Sequence, residues 1–188
     1  MLVSANDSLF ALAEFICGSL DKFAVMMQEK AKSIGAADTT VTTADGRFTA
    51  EQYSNAYDLA IICRYCMTNR MFRTIAATDK YTIPATNKNG SRDLQNTNLL
   101  INSGNRRYRY ETAIGIKSGY TARSKSCLAC SALPPASKFG EEVLAIILGA
   151  ENTKQMKYVF YDAITLLDFT FNNYEAPVSY THLTLPTT

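Results

Sequence analysis

Ile114-Gly115-Ile116-Lys117-Ser118-Gly119-Tyr120-Thr121 is the stretch on which the reading of this chain turns. Apolar residues leading in through Ala113, Ile114 and Ile116 predict a strand with one buried face. That strand runs into a lysine, a hydroxyl and a glycine, and two more hydroxyls follow on Tyr120 and Thr121. A lysine at the end of a buried strand needs a reason to be there, because Lys is rarely buried unless paired. Gly119 removes a side chain where another backbone can come close. A cation, hydroxyls and a bare backbone edge together suit an anionic, peptide-like ligand. An ordinary strand end with a solvated lysine fits the same eight residues, so this stretch alone leaves both readings open.

Working outward, two further strands follow, Ser126–Leu133 and Glu142–Leu148. They are joined by short connections that favour antiparallel pairing. A closing helix is predicted over about residues 153–171, with Met156, Val159, Phe160, Ile164, Leu167 and Phe171 on its inner face. Upstream the pattern is helical. Ser4-Ala5-Asn6-Asp7 reads as an N-cap before an amphipathic run that stops at Gly18. A second helix covers about 20–34, and a third, capped by Ser54, runs to Met67. A short fourth covers about 71–77. Lys80 to Pro84 reads as a short strand, and 87–98 as a loop rich in Asn, Gly and Ser. Helices first, then a three-stranded group, then one long helix make this an α+β or mixed α/β chain. Its antiparallel sheet is packed by helices and accompanied by a helical subdomain.

The chain has 188 residues, 47% hydrophobic and 19% charged, which is enough for one domain with a sizeable core. A net charge of +2 suggests neither nucleic acid nor an anionic membrane as a partner. The run Arg106-Arg107-Tyr108-Arg109-Tyr110 resembles a single-stranded nucleic-acid signal, but a solvated loop accounts for it better. No apolar run approaches the roughly 18 residues a membrane span needs. The opening Met1-Leu2-Val3-Ser4 is not a signal peptide, so either the protein is cytoplasmic or its true N-terminus lies upstream. From Ala176 the texture changes to a threonine-rich, uncharged stretch holding the single histidine, His182. Residues 176–188 read as a foreign or disordered tail, with an edge strand or linker as the alternative.

Five cysteines exclude a fully paired disulfide framework. Cys63-x-x-Cys66 and Cys127-x-x-Cys130 have zinc-like spacing, but the first pair lies inside a helix. The second lies inside a strand, where odd spacing sends the two thiols to opposite faces. Buried free thiols are the expected state, and no metal or other cofactor is expected.

With one histidine, in the tail, a Ser-His-Asp or Cys-His enzyme is not indicated. No GxSxG elbow, P-loop or HExxH occurs. What remains is a pair, Ser4-Ala5-Asn6 and Lys117-Ser118-Gly119, an S-x-N followed by a K-[ST]-G. Their flanks are more specific: Leu2-Val3-Ser4-Ala5-Asn6-Asp7, Ala31-Lys32-Ser33-Ile34-Gly35, Tyr53-Ser54-Asn55-Ala56-Tyr57-Asp58-Leu59-Ala60, Asn96-Thr97-Asn98-Leu99-Leu100 and Gly115 to Thr121. Cys127 to Ala132 and Leu148-Gly149-Ala150 continue the series. Over about residues 1–175 the chain resembles the D-alanyl-D-alanine carboxypeptidases, peptidase family S11, among the penicillin-binding proteins.

The resemblance implies a partial β-lactamase/transpeptidase-like fold over 1–175. It also implies a serine-type carboxypeptidase that acts on peptidoglycan stem peptides ending in D-Ala-D-Ala, through an acyl-enzyme. β-Lactam antibiotics are the implied acylating inhibitors, and the space outside the cytoplasmic membrane is the implied location. Ser4 would belong to the proton relay, Asn6 would bind the substrate's amide backbone, and Lys117 would supply positive charge. Ser118 and Thr121 would hold the terminal carboxylate along the edge bared by Gly119, and the Tyr120 N–H would be an oxyanion donor. The family's S-x-x-K motif belongs upstream of the S-x-N. The single such string here, Ser19-Leu20-Asp21-Lys22, falls after it, and Ser19 reads as an N-cap. The expectation is therefore a fragment without its nucleophile and base, marginally stable, with an exposed sheet edge. A non-catalytic cell-wall peptide-binding module and a β-lactamase relative are the alternatives, although no water-activating Glu is evident for the latter.

Overall fold

The computed structural model describes residues 1–136, 141–153 and 157–174. The predicted tail with His182, and Met156, lie outside them. Four helices come first: α1 (Asn6–Cys17), α2 (Leu20–Ser33), α3 (Ala56–Met67) and α4 (Arg70–Ala77). A small hairpin, β1 (Lys80–Ile83) with β2 (Arg92–Gln95), precedes the main strands β3 (Ala113–Thr121), β4 (Lys125–Ala132) and β5 (Val143–Ala150). Helix α5 (Tyr158–Asn173) closes the chain.

The main sheet is antiparallel in the order β3-β4-β5, as the short connections required. It is covered on both faces. Leu128, Cys130 and Ala132 of β4 and Ala145 and Ile147 of β5 meet Val159, Phe160, Ala163, Leu167 and Phe171 of α5. These apolar positions recur at helical spacing on α5, which is why that helix buries one stripe. On the other face Ala129, Leu144 and Ile146 pack with Cys63 and Met67 of α3. Helix α4 lies against β3, where a Cβ on Gly115 would stand 3.3 Å from the Ala76 Cβ. The glycine needed for close packing in this strand is therefore Gly115. A Cβ on Gly119 would meet nothing within 4 Å.

The structure moves several caps. Helix α1 starts after Ala5 with no side-chain cap, so Ser4 is not used for capping. Asn55, not Ser54, caps α3, its Oδ1 accepting from the Asp58 N–H at 2.8 Å. Asn69 ends one helix and also caps the next, accepting from the Phe72 N–H at 3.1 Å. Strand β2 lies inside the stretch expected to be loop, where one exposed polar strand carries no hydrophobic alternation. Cys130 faces the α5 core while Cys127 borders a hollow with Leu59, Ala129 and Ile146 on the α3 side, the opposite-face placement expected from odd spacing. Burial, and then neighbouring Cys66, push the Cys63 thiol up to about 12, so it stays a neutral core group.

Candidate active site

Strand β3 is an edge of the main sheet, so its outer row of backbone groups is outside any ladder. Beside that edge lies a cleft of about 430 Å³. Lys117, Ser118, Gly119 and Tyr120 form its β3 wall, Ser126 and Cys127 of β4 continue it, and Val159 and Phe160 of α5 close its far side. Ser4 and Thr97 line it beside β3, and Asn152 and Lys157 also border it. Two cations and several hydroxyls, with no carboxylate among the lining residues, make it suited to an anion.

Ser4 reaches the cleft because the segment before α1 is pinned there. Leu2 is buried, and its carbonyl accepts from the Thr97 N–H at 3.1 Å. Ser4 adopts φ 56°, a left-handed conformation that is uncommon for a non-glycine residue. Thr97 is presented by its neighbours: Asn96 and Asn98 turn inward, Asn96 Nδ2 donating to the Thr78 carbonyl at 2.8 Å and Asn98 Oδ1 accepting from the Leu100 N–H at 3.1 Å. Thr97 Oγ1 then lies 3.2 Å from Ser118 Oγ.

Lys117 is half-buried between this polar cleft and an apolar hollow of about 180 Å³ bordered by Leu59, Ala129 and Ile146. Its Nζ donates to the Ser118 carbonyl and has no carboxylate partner among the described residues. Burial holds its pKa below the ordinary lysine value. An anionic ligand would restore the charged form's balance, which is how an unpaired half-buried cation favours one.

A family model for D-alanyl-D-alanine carboxypeptidases matches residues 1–152. The chain belongs to this family. It is 33% identical over 175 residues to the D-alanyl-D-alanine carboxypeptidase DacF of Bacillus subtilis, covering 93% of this chain and 41% of that protein. To DacB2 of Mycobacterium tuberculosis it is 30% identical over 174 residues, covering 91% and 55%. Among solved structures, a D-alanyl-D-alanine carboxypeptidase from Mycobacterium tuberculosis superposes with a TM-score of 0.77 at 28% identity, over 91% of this chain and 61% of that one. A Streptomyces DD-transpeptidase superposes with a TM-score of 0.79 at 26% identity, over 92% and 65%. The chain thus spans about half the length of the curated carboxypeptidases it matches.

Of the residues that carry the family motifs, Ser4, Lys117, Ser118, Gly119 and Tyr120 meet in the cleft. Asn6 and Thr121 stand apart from it. Asn6 Nδ2 donates to Asp45 Oδ2 at 3.2 Å, and Thr121 Oγ1 lies 2.6 Å from Ser124 Oγ in the turn to β4. Ser19 is the N-cap of α2, its Oγ accepting from the Lys22 N–H at 3.2 Å, as the sequence suggested. Thr97, Ser126, Asn152 and Lys157 were not singled out as site residues beforehand. Only Thr97 left a signal, as the outward residue between two inward asparagines. The other three reach the cleft through strand register and the placement of α5.

Proposed function

We propose that this chain is the carboxylate-binding part of a serine-type D-Ala-D-Ala carboxypeptidase acting on peptidoglycan stem peptides outside the cytoplasmic membrane. The observation that carries this reading is the half-buried Lys117, without a carboxylate partner among the described residues, beside the Ser118 and Thr97 hydroxyls on an open sheet edge. The stem peptide adds to the edge of β3 as a further strand, with its terminal carboxylate against Ser118 and Lys117. Thr121 joins them by giving up Ser124, and Asn6 exchanges Asp45 for the substrate's amide backbone. The Tyr120 N–H supplies one oxyanion donor, and removing such a donor costs about 10²–10³ in rate.

In this reading a serine and lysine from an S-x-x-K segment outside the 188 residues complete the site. The serine oxygen bonds to the carbonyl carbon of the penultimate D-Ala, and the C–N bond to the terminal D-Ala breaks. Ser4 relays the proton to the leaving amine, and water then hydrolyses the ester. The left-handed backbone of Ser4 supports this role, because such conformations concentrate at functional sites. Residues 1–175 form the domain part and 176–188 a foreign tail. β-Lactams acylate the same serine, and no helix among the described residues is long and apolar enough to cross a membrane.

The test joins this chain to its S-x-x-K segment and supplies an acetylated peptide ending in D-Ala-D-Ala. Release of D-alanine and a covalent penicillin label are expected, with release lowered about 10²-fold or more by Lys117→Ala. Neither release nor label from the completed protein would overturn the proposal.

A further inference from the structure

The run Arg106-Arg107-Tyr108-Arg109-Tyr110 is a motif the cleft does not use. Its tyrosines pack inward while its arginines are exposed, Arg107 lying over the Tyr108 ring with its Cζ 5.5 Å from the centroid. Tyr108 is 5% exposed, packs on Phe160 with ring centroids 5.8 Å apart, and accepts at its Oη from the Lys157 N–H at 2.8 Å. Tyr110 is half-buried and its Oη donates to Asp168 Oδ1 at 3.0 Å. Arg106, Arg107 and Arg109 are all exposed. The turn presenting them is fixed, because Asn105 Oδ1 accepts from the N–H groups of Arg107 at 3.1 Å and Tyr108 at 3.2 Å. Arg106 and Arg109 have no acidic partner among the described residues.

We propose that this loop docks a phosphate-bearing polyanion that lacks bases. Guanidinium forks match phosphate oxygens two at a time, and one phosphate has enough oxygens to bridge neighbouring forks. Reading a nucleic acid strand would need free aromatic faces for its bases to stack on. Tyr108 is spent on the core, and Tyr110 on Asp168. Through Tyr108 the loop is tied to the first turn of α5, whose Val159 and Phe160 line the cleft. This inference stands apart from the carboxypeptidase reading, since it needs neither a nucleophile nor a D-Ala-D-Ala end.

Titrating the 188-residue chain with inorganic polyphosphate tests it, with orthophosphate, oligothymidylate and polyglutamate as parallel probes at matched charge. Polyphosphate should bind most tightly of the four and weaken steeply with added salt. The double variant R106Q/R109Q should bind about tenfold more weakly or worse, with the salt slope reduced by about 1–2. R70Q/R92Q removes the same charge from exposed arginines elsewhere and should leave binding unchanged. R106K/R109K keeps the charge without the forks and should fall between. Equal losses in the two Gln variants would reduce the patch to net charge and overturn the proposal. So would tighter binding of oligothymidylate, equal binding of polyglutamate, or no binding of polyphosphate at low salt.

Discussion

The two ends of this molecule bury their chain in different ways. Around the main sheet, α5 places Val159, Phe160, Leu167 and Phe171 against Leu128, Ile147 and Leu100, a core of large side chains. In the α1–α2 region the buried residues are small: Ala13, Ala24, Ala31 and Ala36. The large side chains there face outward, with Phe15 88%, Leu12 57% and Val25 58% exposed. Apolar burial contributes about 25 cal/mol per Å², so stability resides on the sheet side. The α1–α2 end is held more by polar ties, such as Thr39 Oγ1 donating to buried Asp58 Oδ2 at 2.8 Å and Gln28 Nε2 donating to the Thr39 carbonyl at 3.0 Å. The cleft opens along the edge of the well-packed side, where β3 carries Lys117 and Ser118, while Ser4 is brought in by the segment before α1.

Mutations sharpen this contrast. Leu167→Ala, at 0% exposure, should cost about 2–5 kcal/mol in urea unfolding. A loss below 1 kcal/mol would mean the sheet core is not where stability lies. Asp58→Ala removes the buried carboxylate that accepts from the Thr39 hydroxyl, leaving it only Ser54 Oγ at 2.8 Å, and should cost about 1–3 kcal/mol. Near-zero change there would show the polar tie to be dispensable. Phe15→Ser, on the exposed α1 face, should stay within about 0.5 kcal/mol of the parent while reducing aggregation seen by light scattering. A large loss instead would place Phe15 in a packed interface and break the comparison.

Lys117 gives the comparison a pH signature. Its folded pKa is lowered by burial, so in the window between the folded and ordinary lysine values the unfolded chain binds more protons. Its charged form therefore costs stability below that window, and stability should rise with pH through it. Lys117→Met should flatten this rise, and an unchanged profile in the variant would mean that the lysine is fully solvated.

Much of this was readable in the chain. Gly18, the periodicity of α5 and the three apolar strands placed their elements because local pattern and tertiary burial agree there. Strand β2 was missed because it is polar and pairs only with β1. The expected cap on α1 failed for a physical reason: Ser4 is drawn into the cleft by Leu2 and Thr97 rather than turned back on the helix. Lys117, Ser118, Gly119 and Tyr120 were legible because a lysine following buried strand residues is anomalous, although β3 does not end there: it runs on to Thr121 in register with β4, so Lys117 sits mid-strand. Asn152 and Lys157 were not, since nothing local marks residues that register alone brings to a cleft.

The most direct test of the central claim is an NMR titration of the isotope-labelled 188-residue chain with an acetylated peptide ending in D-Ala-D-Ala. Shifts concentrated at Lys117, Ser118, Gly119, Tyr120 and Thr97, and abolished by Lys117→Met, are predicted. Shifts elsewhere, or shifts that survive Lys117→Met unchanged, would contradict the account.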